Sequence, residues 1–504
     1  MGLIKRLSVK RTNWHINIIV GLFLLITSGI YFLPHLIFTK NATAIEKRVG
    51  ITGCDWEELY LIYLTELTHH KRLKGNPFLA EHTDNGTTLV SPLGIAPYFP
   101  LSVFASQNAY ALGRLGDAIY PPLILLLAIV CLRSVGLRWM LVFPMVAVLM
   151  FGQGFVPPIL KVILQNGFYA LDLHAVPAFE GYDPSHFKAF LTFSRPISPQ
   201  TNALAFFVFL ICLVFLLFTE KPRRNVLLPI VGGAFLGILI HQYYFFWVYG
   251  GVVLGILIIF SLFFARQLTT AFLTMGTCAI IVGLPVFLQQ WETTPAQIDL
   301  RTRMGFCSMH NYVLPPKSWW IISLFGCVIS VFRKTRPAKN HLLLAFAFLL
   351  AAPVVLNQQL ITGRGIQVMH FVYLPISFGN WLSLAILITN CAKSRPGQNK
   401  MLRYTITTII LLFTTNGIYV QTKDYLRVAN TSRFRAKVAE KALKANELIN
   451  SNKVIAMPFL AWEASAPLSG RPVFHSYGAV HSLVTTEELR QRAVVHGWLY
   501  GYDI

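Results

Sequence analysis

Charged residues are scarce in this chain, and acidic residues are the scarcest of them. Asp, Glu, Lys and Arg together make up 13% of the 504 residues, whereas apolar residues make up 55%. The mean hydropathy is accordingly positive, at +0.56. A water-soluble domain could not bury that much apolar surface. The composition therefore predicts an all-α polytopic membrane protein.

Signals for a metal centre or a nucleic-acid surface are also missing. The seven cysteines have no metal-ligand spacing, and most fall within apolar runs or at their ends. Only Cys54 and Cys307 are expected outside the membrane on one side, which permits a disulfide without requiring it. The net charge of +22 is spread over short connections and forms no single basic face, so we expect no nucleic-acid partner.

Apolar runs of nearly membrane-spanning length recur along the chain. The first, at 18–38, follows a basic N-terminus and lacks a small-residue cleavage site, which predicts a retained helix with a cytoplasmic N-terminus. The later runs lie at 117–132, 139–157, 202–219, 226–242, 245–265, 270–288, 318–332, 342–356, 371–391 and 405–420. We therefore predict about eleven transmembrane helices and an extracytoplasmic C-terminus.

The charges divide between the two predicted sides of the membrane. If successive runs cross the membrane in alternating directions, the connections on the side of the N-terminus are short and basic. Of the 21 acidic residues, only Glu220 falls on that side. This distribution agrees with the positive-inside rule. The long connections lie on the other side, at 40–116, 158–201, 289–317, 357–370 and 421–504. Long loops gathered on one side predict that function resides on that side.

Two domains are predicted from this division. Residues 1–420 form the transmembrane domain, with a first outer loop at 40–116 and a second at 158–201. Residues 421–504 form a small α/β extracytoplasmic segment, with helices near 433–450 and 485–496 and a strand near 454–459. This segment has no evident natural end, and we expect it to be a minimal or incomplete version of a larger domain.

Three carboxylates lie close together in the first outer loop, beside the membrane. They are Asp55, Glu57 and Glu58. Carboxylates at a bilayer surface are costly to desolvate and often mark chemistry or cation binding, although a solvated acidic loop is the alternative. A carboxylate within reach of an acceptor hydroxyl can act as a general base, typically worth roughly 10²–10⁴-fold in rate. We take these three residues as the catalytic candidates.

The order of these features resembles the GT-C membrane glycosyltransferases: one helix, a large outer loop with early acids, about ten further helices and an outer C-terminal segment. The resemblance implies a GT-C-like fold and transfer of a sugar from a polyprenyl-phosphate donor. It also implies that an Asp of the first outer loop serves as catalytic base or metal ligand. Asp55 best matches that position, with Glu57 and Glu58 as supporting candidates.

The second outer loop carries the candidate metal ligands. Asp172, His174 and Asp183 lie there, near Glu180 and His186. Oxygen and imidazole ligands suit Mg²⁺ or Mn²⁺, but the spacing matches no recognised motif, and an ordinary amphipathic loop is the alternative. A divalent metal is the cofactor that we expect, if the protein uses one.

Two further stretches supply candidate substrate-binding residues. Arg195 lies between prolines just before an apolar run, where it can meet a phosphate or instead be a snorkelling helix-flanking arginine. The connection 357–370 is rich in amides and turns on two glycines, which suits hydroxyl or phosphate binding as well as a simple tight turn. Its candidate residues are Gln359, Arg364, Gln367 and His370.

The sequence thus predicts an integral-membrane glycosyltransferase that moves a sugar to a lipid, glycan or protein acceptor on the outer face. Its expected partners are a lipid-linked sugar donor and membrane lipid. The expected location is a bacterial inner membrane, with the endoplasmic reticulum as the alternative. A lipid or glycan transporter or flippase is the competing prediction, and a non-catalytic protein of the same fold is the third. The nearly uncharged interiors of the apolar runs favour the enzyme over the transporter.

Overall fold

The computed structural model consists almost entirely of helices in the part of the chain that it describes. The described residues are 14–51, 57–71, 92–152, 191, 193–194, 197–218, 226–291, 294–296, 298–299, 307–308, 324, 327–328, 339–365, 368–391, 400–448, 459–469 and 485–500. The helices are α1 Trp14–Lys40, α2 Ala44–Val49, α3 Glu57–Tyr63, α4 Thr65–Thr68, α5 Pro92–Ile95, α6 Phe99–Ser102, α7 Ala109–Ser134, α8 Trp139–Phe151, α9 Gln200–Phe218, α10 Leu227–Gln242, α11 Tyr244–Phe264, α12 Arg266–Trp291, α13 Lys339–Leu356, α14 Gln359–Thr362, α15 Val368–Phe371, α16 Ser377–Cys391, α17 Lys400–Glu447, α18 Phe459–Ser469 and α19 Thr486–Tyr500.

The remaining regular elements are short. A 3₁₀ turn spans Ala96–Tyr98, and a π-helical turn spans Val372–Ile376 and joins α15 to α16. Two strands of two residues each, β1 Cys307–Ser308 and β2 Arg364–Gly365, pair antiparallel. They do not alter the helical character of the described chain.

Within the described residues, six helices are long and apolar enough to cross a membrane. Their apolar stretches are Trp14–Lys40, Ala109–Ser134, Gln200–Leu217, Tyr244–Phe264, Arg266–Val286 and Asn340–Thr362, and shorter apolar helices occupy Trp139–Phe151, Leu227–Gln242 and Leu374–Thr389. The chain is thus a helical polytopic membrane protein, as its composition predicts. The count of eleven spans stays a prediction, since most of the run 318–332 lies outside the described residues.

The main apolar core fills the space between these helices. It is built from side chains of α1, α7 to α13 and α16, with Phe206, Leu254 and Phe348 among its buried members. Helices α10 and α12 are in close contact at a glycine of α10: a Cβ at Gly233 would lie 2.3 Å from the carbonyl oxygen of Met275. Any larger residue there would force the two helices apart.

Helix α17 extends well beyond the membrane. With 48 residues it is about 70 Å long, against roughly 30 Å for the hydrocarbon core of a bilayer. It runs unbroken through the predicted domain boundary at 420, and it packs first on α1 and α8 and then on α18. The predicted helix at 433–450 is the distal part of this helix. The domain boundary itself stays a prediction.

A second apolar cluster, which we name the cap cluster, joins the first outer connection to the C-terminal helices. It contains Leu61, Leu64, Leu67, Tyr98, Tyr110, Ala436, Ala439, Trp462, Ala464 and Leu468. Two hydrogen bonds reinforce it: the Tyr110 hydroxyl donates to the Ala464 carbonyl at 3.1 Å, and His69 Nε2 donates to the Pro467 carbonyl at 3.3 Å. The two regions therefore pack as one unit.

The tail is helical wherever it is described. The predicted strand at 454–459 lies outside the described residues except for Phe459, which begins α18. The helix predicted at 485–496 is α19, and its first turn is capped by Thr485, whose hydroxyl accepts a hydrogen bond from the Glu488 amide at 3.1 Å. The α/β character of the tail stays a prediction.

Candidate functional site

Most of the predicted site residues lie outside the described part of the chain. Those wholly outside it are Asp55, Asp172, His174, Asp183, Arg195 and Gln367. The backbones of Glu57 and Glu58 begin α3, and that of Arg364 belongs to β2, but their side chains are not among those described. The roles predicted for all of these residues therefore stay predictions.

Two of the predicted site residues in the connection 357–370 have described side chains. Gln359 is buried at the first residue of α14, which ends at Gly363 in the left-handed region with φ of 66°. His370 lies in α15, where its Nδ1 pairs with the hydroxyl of Tyr243 and its ring stacks on the Tyr243 ring at 5.8 Å. The structure does not bring Gln359 and His370 to the cavity described below, whose lining includes neither.

A buried polar network that the sequence did not predict connects α1, α7 and α9. His35 Nε2 lies 3.0 Å from Asp117 Oδ2, and the two residues are 5% and 3% exposed. Gln200 Nε2 donates to Asp117 Oδ1 at 2.7 Å, and the Tyr98 hydroxyl donates to Gln200 Oε1. Each oxygen of the carboxylate thus has its own partner, as a buried carboxylate requires.

The network borders a small cavity, with room for about one water-sized group. Its lining consists of Tyr31, Pro34, His35, Ile51, Asp117, Ser194 and Gln421. Gln421 Nε2 donates to Ser194 Oγ at 3.2 Å, and Gln421 Oε1 accepts from the Leu191 amide at 3.2 Å. These bonds attach α17 to the segment before α9. Four helices or their flanking segments therefore contribute to one polar site.

The network lies at the border between the membrane core and the cap cluster. Along α7, Tyr110 belongs to the cap cluster, Asp117 to the network and Ile124 to the main core. Along α17, Gln421 precedes Ala436 and Ala439 of the cap cluster. On both helices the polar residue lies next to the part that packs in the cap cluster. The network is therefore located where the apolar bundle meets the cap.

The flanks of two predicted site segments also reach this cavity. Ser194 directly precedes Arg195 in the sequence, and Ile51 precedes Asp55 by four residues. Both Ser194 and Ile51 line the cavity. The segments that contain Asp55 and Arg195 therefore each follow a residue that lines this cavity.

The network offers little to a divalent metal. Among the described residues, no group of three or more His, Cys, Asp or Glu side chains could hold a metal ion. His35 and Asp117 supply one imidazole and one carboxylate, and both carboxylate oxygens already accept hydrogen bonds or contact the ring. The residues predicted to bind Mg²⁺ or Mn²⁺ lie outside the described residues, so that role stays a prediction.

Comparison with known proteins identifies no family for the chain. No family model matches it, and no curated protein matches it. Among solved structures, the crystal structure of the oligosaccharyltransferase of Archaeoglobus fulgidus in the apo form is similar, with 12% sequence identity and a TM-score of 0.43. That alignment covers 93% of this chain and 65% of the other, so this chain spans about two thirds of the length of that protein.

Proposed function

We propose that this protein is a membrane glycosyltransferase that uses a polyprenyl-phosphate sugar at the outer membrane surface. The observation that carries the proposal is the cavity at the border of core and cap. Ile51 and Ser194 line it, and the chain continues from them into the segments that hold Asp55 and Arg195. A lipid-borne phosphate and a sugar hydroxyl would meet the protein at such a border, between apolar and polar surroundings.

The proposed reaction assigns one task to each candidate residue. The acceptor hydroxyl attacks the anomeric carbon, the bond from that carbon to the phosphate oxygen breaks, and the hydroxyl proton passes to the Asp55 carboxylate. Arg195 stabilises the negative charge that develops on the leaving polyprenyl phosphate. Glu57 and Glu58 contribute negative charge near the Asp55 base. The residues of 357–370, including His370 and Arg364, would bind sugar hydroxyls away from the cavity, whose lining contains neither Gln359 nor His370.

A divalent metal is a separate part of the proposal. Asp172, His174 and Asp183 would hold Mg²⁺ or Mn²⁺, whose charge would assist departure of the phosphate.

The test replaces Asp55 with Asn and measures sugar transfer in membranes, with a panel of labelled polyprenyl-phosphate hexoses and pentoses as donors. We expect Asp55→Asn to lower the rate about a hundredfold or more, because the amide cannot accept the proton. Asp84→Asn, a matched change in the same loop, should leave the rate near that of the wild type. Wild-type transfer by Asp55→Asn would remove Asp55 from the mechanism.

A transporter or flippase for a lipid or glycan is the second candidate. The observation that favours it is the His35–Asp117 pair, since ionisable residues inside membrane helices often mark transport pathways. Reconstitution in liposomes separates the two functions. A transporter moves a fluorescent prenyl-phosphate lipid between leaflets without altering it, whereas the enzyme transfers the sugar without moving the lipid.

A further inference from the structure

Among the described residues, a hydrogen bond holds His35 through one of its two ring nitrogens. Nε2 contacts Asp117 Oδ2 at 3.0 Å, and Gln200 holds the other carboxylate oxygen at 2.7 Å. When one imidazole nitrogen donates to a carboxylate, the other carries a lone pair and becomes a hydrogen-bond acceptor. With Nε2 donating to Asp117, Nδ1 of His35 is a hydrogen-bond acceptor.

No partner satisfies this second nitrogen among the described residues. His35 Nδ1 is buried and has no hydrogen bond to any of them. A buried polar atom without a partner destabilises the folded state, so its presence calls for a reason such as catalysis or an external ligand. A purely structural pair between α1 and α7 needs only Nε2.

The same cavity also offers a hydrogen-bond donor. Ser194 lines the cavity beside His35, and its Oγ accepts from Gln421 Nε2 at 3.2 Å. Among the described residues, no acceptor takes the hydroxyl hydrogen of Ser194, which is therefore available to a ligand. His35 and Ser194 together present one acceptor and one donor.

A hydroxyl group is the chemical class that matches this arrangement, because it donates once and accepts at the same oxygen. An anion does not match between His35 and Ser194, since the Asp117 carboxylate lies beside the ring and repels it, so the phosphate of the proposed donor would lie outside this pair. An ammonium group does not match either, since it has no lone pair to accept from Ser194. The small size of the cavity limits the ligand to one such group at this point.

We propose that His35 and Ser194 form a binding site for a single hydroxyl group, with Asp117 orienting the ring through Nε2. The hydroxyl comes either from a sugar-bearing amphiphile in the membrane or from a resident water molecule. The site does not depend on the transfer reaction proposed above, because it requires only binding.

Two substitutions of His35 separate this site from a structural pair. In His35→Gln the amide replaces Nε2 and keeps the contact with Asp117, but no atom replaces Nδ1. In His35→Asn the amide takes the place of Nδ1 and loses contact with Asp117. A structural role predicts that octyl glucoside changes the thermal midpoint of His35→Gln as it does that of the wild type, whereas hydroxyl binding predicts that this change in midpoint is lost in His35→Gln even if the variant without glucoside is as stable as the wild type.

The measurement is the ¹⁵N chemical shift of His35 Nδ1 in protein with ¹⁵N-labelled histidine, in an amine-oxide detergent that carries no hydroxyl groups. The signal is assigned by its absence in either His35 variant. The probe is n-octyl β-glucoside, and its tetra-O-methyl ether, which has no hydroxyl, is the matched control. The Ser194→Ala variant, which leaves His35 intact, tests the donor.

We expect the glucoside to shift the Nδ1 signal to that of a hydrogen-bonded acceptor in a saturable way, and the methylated ether to have no effect. Ser194→Ala should weaken glucoside binding about three- to tenfold, as loss of one hydrogen bond predicts. A signal that is already hydrogen-bonded and does not respond to the glucoside identifies the hydroxyl as resident water. An Nδ1 signal that stays unbonded in every condition, or that is protonated, would overturn the site.

Discussion

Asp117 exchanges the water around its carboxylate for two protein partners, His35 and Gln200. Removing the carboxylate leaves the buried ring nitrogen of His35 and the amide of Gln200 without their partner, and each unsatisfied group typically costs about 1–3 kcal/mol. We therefore expect Asp117→Leu to lower the thermal midpoint strongly. Asp117→Asn should cost less, about 1–3 kcal/mol, since its amide oxygen still accepts from Gln200. Fluorescence-detected unfolding in detergent measures both.

The double variant His35→Phe/Asp117→Leu is the control for this prediction. Replacing both partners of a buried pair by apolar residues is often neutral or stabilising, so the double variant should recover part of the loss caused by Asp117→Leu alone. A thermal midpoint of Asp117→Leu equal to that of the wild type would show that the network contributes nothing to the folded state.

The residues of this network show where prediction from the sequence reached its limit. His35 falls inside the apolar run 18–38, and Asp117 is the first residue of the run 117–132, so both were treated as part of spans. The two residues are 82 positions apart in the sequence, and no local pattern would pair them. The signal that could have found them is an ionisable residue within a predicted membrane helix, which is a functional hypothesis by default.

At the scale of elements, the cap cluster attaches α18 to α4 through His69 and Pro467. Burial lowers the pKa of His69 below its usual value of 6.5, the hydrogen bond to the Pro467 carbonyl opposes this effect, and the neighbouring His70 and Lys71 add to it. A folded-state pKa below the unfolded one means that the folded form takes up a proton less readily. The contribution of His69 to the free energy of unfolding is therefore fully present above the pKa of the unfolded state. It is lost as the pH falls through the pKa of the folded state.

We accordingly expect the thermal midpoint to fall when the pH is lowered from about 7.5 to 5, with part of the decrease due to His69. His69→Gln keeps an N–H donor for the Pro467 carbonyl but does not titrate, so its midpoint should fall less over the same range. Parallel unfolding curves at each pH provide the comparison. An identical decrease in the variant and the wild type would remove His69 from the pH dependence.

Helix positions were predictable because they depend on local hydropathy. The run 202–219 corresponds to α9 and the run 245–265 to α11, each within two residues.

The continuity of α17 was harder to predict, because the apolar run ends where Lys423 and Asp424 begin a polar stretch. No proline interrupts residues 400–447, so the sequence did permit one long helix. Its docking on α18 depends on long-range packing that no local pattern encodes.

At the scale of the whole molecule, one end of the described bundle carries the cap cluster, and the predicted sidedness of charges and long connections stays a prediction. The cap cluster and the buried network lie toward the same end of α7 and α17. The connection that follows residue 40 begins at that end, and the connection that precedes residue 200 finishes there. Composition and run length predicted the class of protein. The convergence of α1, α7, α9 and α17 on one cavity could not be predicted, because it depends on which helices become neighbours.

Photolabelling of the membrane-bound protein with a benzophenone-bearing isoprenyl phosphate tests most directly whether a lipid-linked phosphate binds at this border. Labelled peptides should come from the cavity wall, residues 31–51 and 191–204, and unlabelled polyprenyl phosphate should compete whereas polyprenol, which lacks the phosphate, should not. Labelling confined to the opposite end of the bundle, around 133–139, or labelling that polyprenol displaces equally well, would contradict the proposed site.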